Sequence, residues 1–280
     1  MNLTIKAALA AISASIALPA AAQDMPKGPI SVSGSAGLVT DYRFRGVSQS
    51  DNKAAIQGGL TASHESGLYA SFWASNLAGW GQFGGANMEL DLVGGYKLKL
   101  GGGTLDVGLT WYMYPGGSDK TDFAEPYAKL SGTIGPLSLL GGVAYAPKQE
   151  ALGRWYYTGA DSVAGIPNAP GDKKDNLYLW GDASAGVPGT RATVKAHVGY
   201  SHGNRGLGPN GTSVTPTGSY WDWMAGVDYA LIGPVTIGVA YVDTDITKRG
   251  SAYLQPNFSQ VSNGKSIAGA RAVFSIGASF

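Results

Sequence analysis

His64, His197 and His202 are the only imidazoles in this 280-residue chain, and it has no cysteine. Acid–base or nucleophilic catalysis needs a base within reach of a nucleophile and a third group to orient it. His64 falls near a short turn on an apolar register, and His197 lies near Lys195 with no Ser or Asp partner evident from spacing. His202, beside Ser201 at the edge of a long connection, is the one candidate base near an external site. The sequence has no zinc-type spacing, phosphate loop or calcium loop. It reads as a protein that is not an enzyme and has no cofactor or metal; an outer-membrane hydrolase is the third alternative.

The remaining chemistry is electrostatic. In Thr40-Asp41-Tyr42-Arg43-Phe44-Arg45, the charges occupy every second position and aromatics stand between them. In an extended strand successive side chains point to opposite faces, so Asp41, Arg43 and Arg45 share one face and Thr40, Tyr42 and Phe44 the other. Ser31, Ser33, Ser35 and Gly37 continue the polar side, and Val32, Ala36 and Leu38 the apolar side. This predicts one strand over 31–45, with Tyr42 and Phe44 at a lipid interface, Arg43 and Arg45 at the mouth of a lumen, and 46–53 as an external loop.

The same alternation runs from Met88 to Leu100, where Glu89, Asp91, Lys97 and Lys99 all fall on one face. Extended along the chain, it predicts an inward face carrying Arg43, Arg45, Lys97, Lys99, Lys129, Arg191, Lys195 and Arg271. Opposing them are Asp41, Glu89, Asp91, Asp106, Glu125, Asp182, Asp222 and Asp228. Equal numbers of each sign predict no net lumen charge. The pore-lining candidates are Asp41, Arg43, Arg45, Glu89, Asp91, Glu125, Asp182, Arg191, Lys195, Asp222, Asp228 and Arg271. Such a lining suits a narrow channel for passive diffusion of small hydrophilic solutes. The alternative is a lumen closed by its own salt bridges, leaving a structural or surface-interaction protein.

Twelve runs at 31–45, 54–64, 68–76, 88–100, 105–114, 123–133, 137–147, 176–185, 191–201, 219–230, 235–244 and 266–280 have strand character. Their connections alternate between short turns and long loops. An even strand number, this alternation and a two-faced pattern predict an all-β, antiparallel, up-and-down transmembrane barrel. Trp111, Tyr145, Tyr200, Trp221, Trp223 and Tyr241 would form one aromatic girdle with Tyr42 and Phe44, and Tyr96, Tyr229 and Phe280 the other. The connection 148–175, with Arg154-Trp155-Tyr156-Tyr157, either folds inward to narrow the pore and contact a solute or extends a hairpin above the membrane.

Lys6, the apolar run Ala7 to Ala20 and the small residues before Gln23 read as a secretory signal peptide over 1–22, leaving 23–280 as the barrel domain. The whole chain has 20 Lys and Arg against 19 Asp and Glu, so without Lys6 it is balanced and nothing suggests a nucleic-acid partner. Charged residues make up 14%, against about 25% in ordinary globular chains. That low value fits a protein with much non-aqueous surface. The predicted location is therefore the bacterial outer membrane, with its lipid, the barrel assembly machinery and small hydrophilic solutes as partners.

Two stretches carry a resemblance. Thr40-Asp41-Tyr42-Arg43-Phe44-Arg45-Gly46-Val47-Ser48-Gln49-Ser50 resembles the signature near the mature N-terminus of the TorF family of porins, also described as the Gcw_chp family of proteobacterial outer-membrane proteins. The end of the chain, with Phe274, Ile276 and Phe280 on one face, resembles the assembly signal of bacterial outer-membrane proteins. The first resemblance implies a barrel and a porin-like role; the second implies that the assembly machinery reads these three residues.

Overall fold

The computed structural model describes residues 28–280, and the expected signal peptide over 1–22 lies outside them. The alternating runs become strands β1 (Ile30–Val39), β2 (Arg43–Phe44), β3 (Val47–Ser48), β4 (Ala55–His64), β5 (Leu68–Asn76), β6 (Met88–Leu100) and β7 (Gly103–Met113). After these come β8 (Phe123–Ile134), β9 (Leu137–Gln149), β10 (Lys174–Gly186), β11 (Ala192–Arg205), β12 (Thr217–Ile232), β13 (Val235–Thr244) and β14 (Arg271–Ser279). All except β2 and β3 form one closed barrel of twelve strands. Pairing is antiparallel throughout, and β1 closes the sheet by lying between β4 and β14. Gly34 and Phe280 exchange backbone hydrogen bonds of 2.7 and 3.0 Å across that seam. Closure matters because an unpaired sheet edge in hydrocarbon would leave each backbone group without a partner, at several kcal/mol apiece.

Period two makes the wall two-sided. On β6, Met88 and Leu92 face outward and are exposed while Glu89 and Asp91 between them are buried inside. Leu109, Val198, Val239 and Ile276 continue an exposed apolar exterior on other strands. Trp111, Tyr145, Trp221, Trp223 and Tyr241 are exposed near the long-loop end, and Tyr96, Tyr229 and Phe280 near the other. A surface this apolar, bounded by two aromatic zones, matches a bilayer and not water.

The first strand departs from expectation. It ends at Val39, and residues 41–52 turn into the barrel and are buried throughout. Tyr42 and Phe44, expected at the lipid interface, are 0% and 8% exposed inside the lumen. There β2 and β3 pair as a minimal hairpin through Arg43↔Ser48 and Phe44↔Val47. Its two-residue turn is Arg45-Gly46, at φ +49° and +78°, where the left-handed backbone reverses the chain as in type I′ turns. Tyr42 meets Trp73 edge-on at 5.3 Å between ring centroids, and Phe44 meets Tyr112 at 5.8 Å. An alternating aromatic and charged stretch satisfies the barrel interior as well as it would a lipid interface, because here each charge finds a partner.

Residues 46–53 are accordingly no external loop. Other long connections close over them: 77–87, 206–216 and 245–270 bring Trp80, Leu207, Leu254, Phe258 and Ile267 into one buried cluster with Val47. The connection after β9 lies in this cap, where Trp155 and Tyr156 N–H groups donate to the Leu207 carbonyl at 2.9 and 3.0 Å. The lumen is narrowed by residues 41–52.

Candidate functional site

The site is the contact between the inserted hairpin and the inner wall. Arg45, at the hairpin tip, reaches β8: its Nη2 donates to both Glu125 oxygens at 2.7 Å, and Nη1 donates to Asn176 Oδ1 on β10 at 2.6 Å. The guanidinium also lies 4.2 Å from the Tyr178 ring centroid and 4.7 Å from that of Phe44. Tyr112 O–H donates to Glu125 Oε2 at 3.2 Å, and the Asn176 amide N–H donates to the Thr215 hydroxyl, so both acceptors are oriented from behind. Arg45 and Glu125 side chains are 4% and 3% exposed. A pair this dry is held by direct geometry, since little water is present to screen it.

Arg43 does a different job. Its Nε donates to Asp41 Oδ2 at 2.7 Å, Nη1 to the carbonyls of Gly46 at 2.7 Å and Gly269 at 3.1 Å, and Nη2 to Asn52 Oδ1 at 3.1 Å. The other Asp41 oxygen accepts from the Ser48 hydroxyl at 2.6 Å and the Ser50 hydroxyl at 3.3 Å. Asp41 and Arg43 therefore line no pore; they hold the inserted segment in shape. Arg271, at the start of β14, donates to the Asn52 carbonyl at 2.9 Å and has its Nε 3.4 Å from Asp41.

Tyr42 donates to Glu89 at 3.0 Å. Burial, then the neighbouring Glu89 and Asp91 carboxylates, push the Tyr42 phenol well above its ordinary range, which keeps it a donor. Glu89 and Asp91 share the inward face of β6, and among the described residues neither has a basic group within 4 Å.

Towards the short-turn end the inner wall is cross-linked in smaller sets. Asp106 accepts from Tyr69 at 2.8 Å and lies 3.3 Å from Lys129, and Lys195 donates to Asp228 at 2.8 Å. His197 stands between two acids, with Nδ1 2.7 Å from Asp182 and Nε2 3.1 Å from Asp222. The sequence reading found no acid for His197, although Asp182 lies directly opposite it in the β10–β11 register. Counting residues back from the turn after β10 would have revealed the pair. Among the described residues no serine or threonine joins this cluster; its fourth member is the Tyr178 hydroxyl, 2.9 Å from Nε2. His64 and His202 are exposed and bonded to Ser66 and Ser219 at 2.8 Å each.

Of the other expected residues, Arg191 falls just before β11, exposed at the short-turn rim, where it donates to the Leu231 carbonyl at 3.0 Å. Phe274, Ile276 and Phe280 face outward and are exposed. Tyr112, Asn176, Tyr178 and Thr215 were not singled out from sequence. Only their meeting with a residue from the other end of the chain gives them a role.

Among solved structures the chain is similar to the KdgM porin in complex with disordered oligogalacturonate, with a TM-score of 0.48, 9% identity, and 89% of this chain and 98% of that one covered. It is also similar to the outer membrane channel DcaP of Acinetobacter baumannii, with a TM-score of 0.39, 9% identity, and 90% and 97% covered. A third is an outer membrane channel from Pseudomonas putida F1, with a TM-score of 0.41, 8% identity, and 91% and 97% covered. No curated protein matches the chain. The Gcw_chp profile, described as a bacterial protein of unknown function, matches residues 23–280, and the chain belongs to that family.

Proposed function

We propose that this chain is a porin-like channel of the bacterial outer membrane that passes small hydrophilic solutes, with the 41–52 segment closing its lumen in the conformation described. The observation that carries this is how the closure is attached. The segment's backbone bonds outside itself go to the loops, from Ser48 N–H to Ile267 and from Ala78 N–H to Gln49, while side chains alone bind it to the wall strands. A closure outside the wall's hydrogen-bond ladder can leave without unzipping the barrel. Loops are the elements from which lids and switch segments are drawn.

The signal peptide, outer-membrane lipid, the assembly machinery and its reading of Phe274, Ile276 and Phe280 belong to the same proposal. A permanently plugged anchor is the second reading, favoured by the complete enclosure of Arg43. Fractionation of cells and planar-bilayer recording of the purified protein test both. Outer-membrane protein that conducts in bursts supports the channel; protein that inserts and never conducts, with the hairpin contacts intact or cut, decides for the plug.

A further inference from the structure

We infer that Arg45 is a tethered stand-in for an organic cation, and that the pocket it fills is a recognition site for guanidinium or alkylammonium solutes whose binding opens the channel. This rests on the channel reading of the same site. Three observations converge on it.

The first is placement. Arg45 sits at φ +49°, in a turn position that normally takes Asn, Asp or Gly, so an arginine is held there against local preference. The second is the pocket. Glu125, Asn176 and the Tyr178 ring remain on the wall when the hairpin is withdrawn, and together they provide a carboxylate, an amide oxygen and a π face. Those are the elements that recognise a planar or quaternary cation. The third is the charge left behind. Withdrawal of the hairpin removes Arg45 and leaves Glu125 without its cation. An empty wall pocket is therefore anionic, and an arriving cation restores what Arg45 supplied. An anionic solute meets the Glu125 carboxylate at the same place.

Isothermal titration in detergent with methylguanidinium chloride, choline chloride and sodium benzoate tests this without requiring conduction. It would use wild type, Arg45→Ala, and Arg45→Ala combined with Glu125→Gln, each checked for the heat-modifiable folded band. Arg45→Ala should bind methylguanidinium at least about tenfold more tightly than wild type, where the tethered side chain competes, and the double variant should lose that gain. If Arg45→Ala fails to fold, Arg45→Gln, which keeps a polar side chain but carries no cation to compete, takes its place with the same expected order. Equal binding across the variants, or benzoate binding more tightly than either cation, overturns the inference. A wild-type protein that never conducts would refute the channel while leaving this binding result standing.

Discussion

Glu125→Gln should open the lumen while leaving the barrel standing. The substitution keeps shape and removes the charge that faces Arg45 across 2.7 Å in a site where both side chains are almost fully enclosed. Removing one partner of a buried ion pair typically costs about 3–5 kcal/mol, because the other charge stays desolvated and unpaired. Asn176 and the two aromatic rings still hold Arg45, so the lower end, ~3 kcal/mol, is the appropriate figure. At 1.36 kcal/mol per tenfold, the closed-to-open ratio falls on the order of a hundredfold. The wall is unaffected, because residue 125 pairs with Thr110 through its backbone. Single-channel recording gives the open fraction, far-UV circular dichroism and heat-modifiable mobility report the barrel, and Glu65→Gln in an exposed turn is the control. If Glu125→Gln folds normally and its open fraction equals that of wild type, Arg45 is not the latch and the attachment argument fails.

Three other outcomes follow from the geometry. Gly46→Ala should raise the open fraction too, because a Cβ there would collide with Thr244 Cγ2 and come within 2.9 Å of Asp222 Cβ at a left-handed backbone position; an unchanged open fraction would argue against the hairpin's fit. Leu92→Arg, on the exposed outer face of β6, should lower stability in lipid by about 2–4 kcal/mol, read as a lower urea midpoint in vesicles; an unmoved midpoint would remove this face from the bilayer. Deleting Phe280 should lower the yield of inserted protein, since its backbone helps close the seam with Gly34 and its ring is proposed as part of the assembly signal; equal outer-membrane yield would assign it neither role.

The twelve wall strands were legible because their information is local. Alternation along Met88 to Leu100 fixes which side chains share a face, and a short turn such as Gly101-Gly102 dictates the antiparallel register of the next strand. The sequence by itself thus determined a two-faced closed sheet with Glu89, Asp91, Glu125, Asp182, Asp222 and Asp228 turned inward. It also placed Trp111, Tyr145 and Trp221 outward. Residues 40–45 were read as more of the same, and 46–53 as an external loop, because alternation reports that two faces differ without saying what each face meets. The Ser48-Gln49-Ser50-Asp51-Asn52 run lay in the expected external loop, and its short polar side chains instead bond to nearby backbone and side chains within the inserted segment. Whether the chain left the barrel there or entered it was decided by groups far along the sequence. Arg45 gains Glu125 80 residues away and Asn176 131 residues away, and those two become neighbours only once β8, β9 and β10 lie side by side. The lipid-facing pattern is a property of each strand, whereas the latch is a property of the closed barrel's interior, and only tertiary structure brings its two halves within hydrogen-bonding distance.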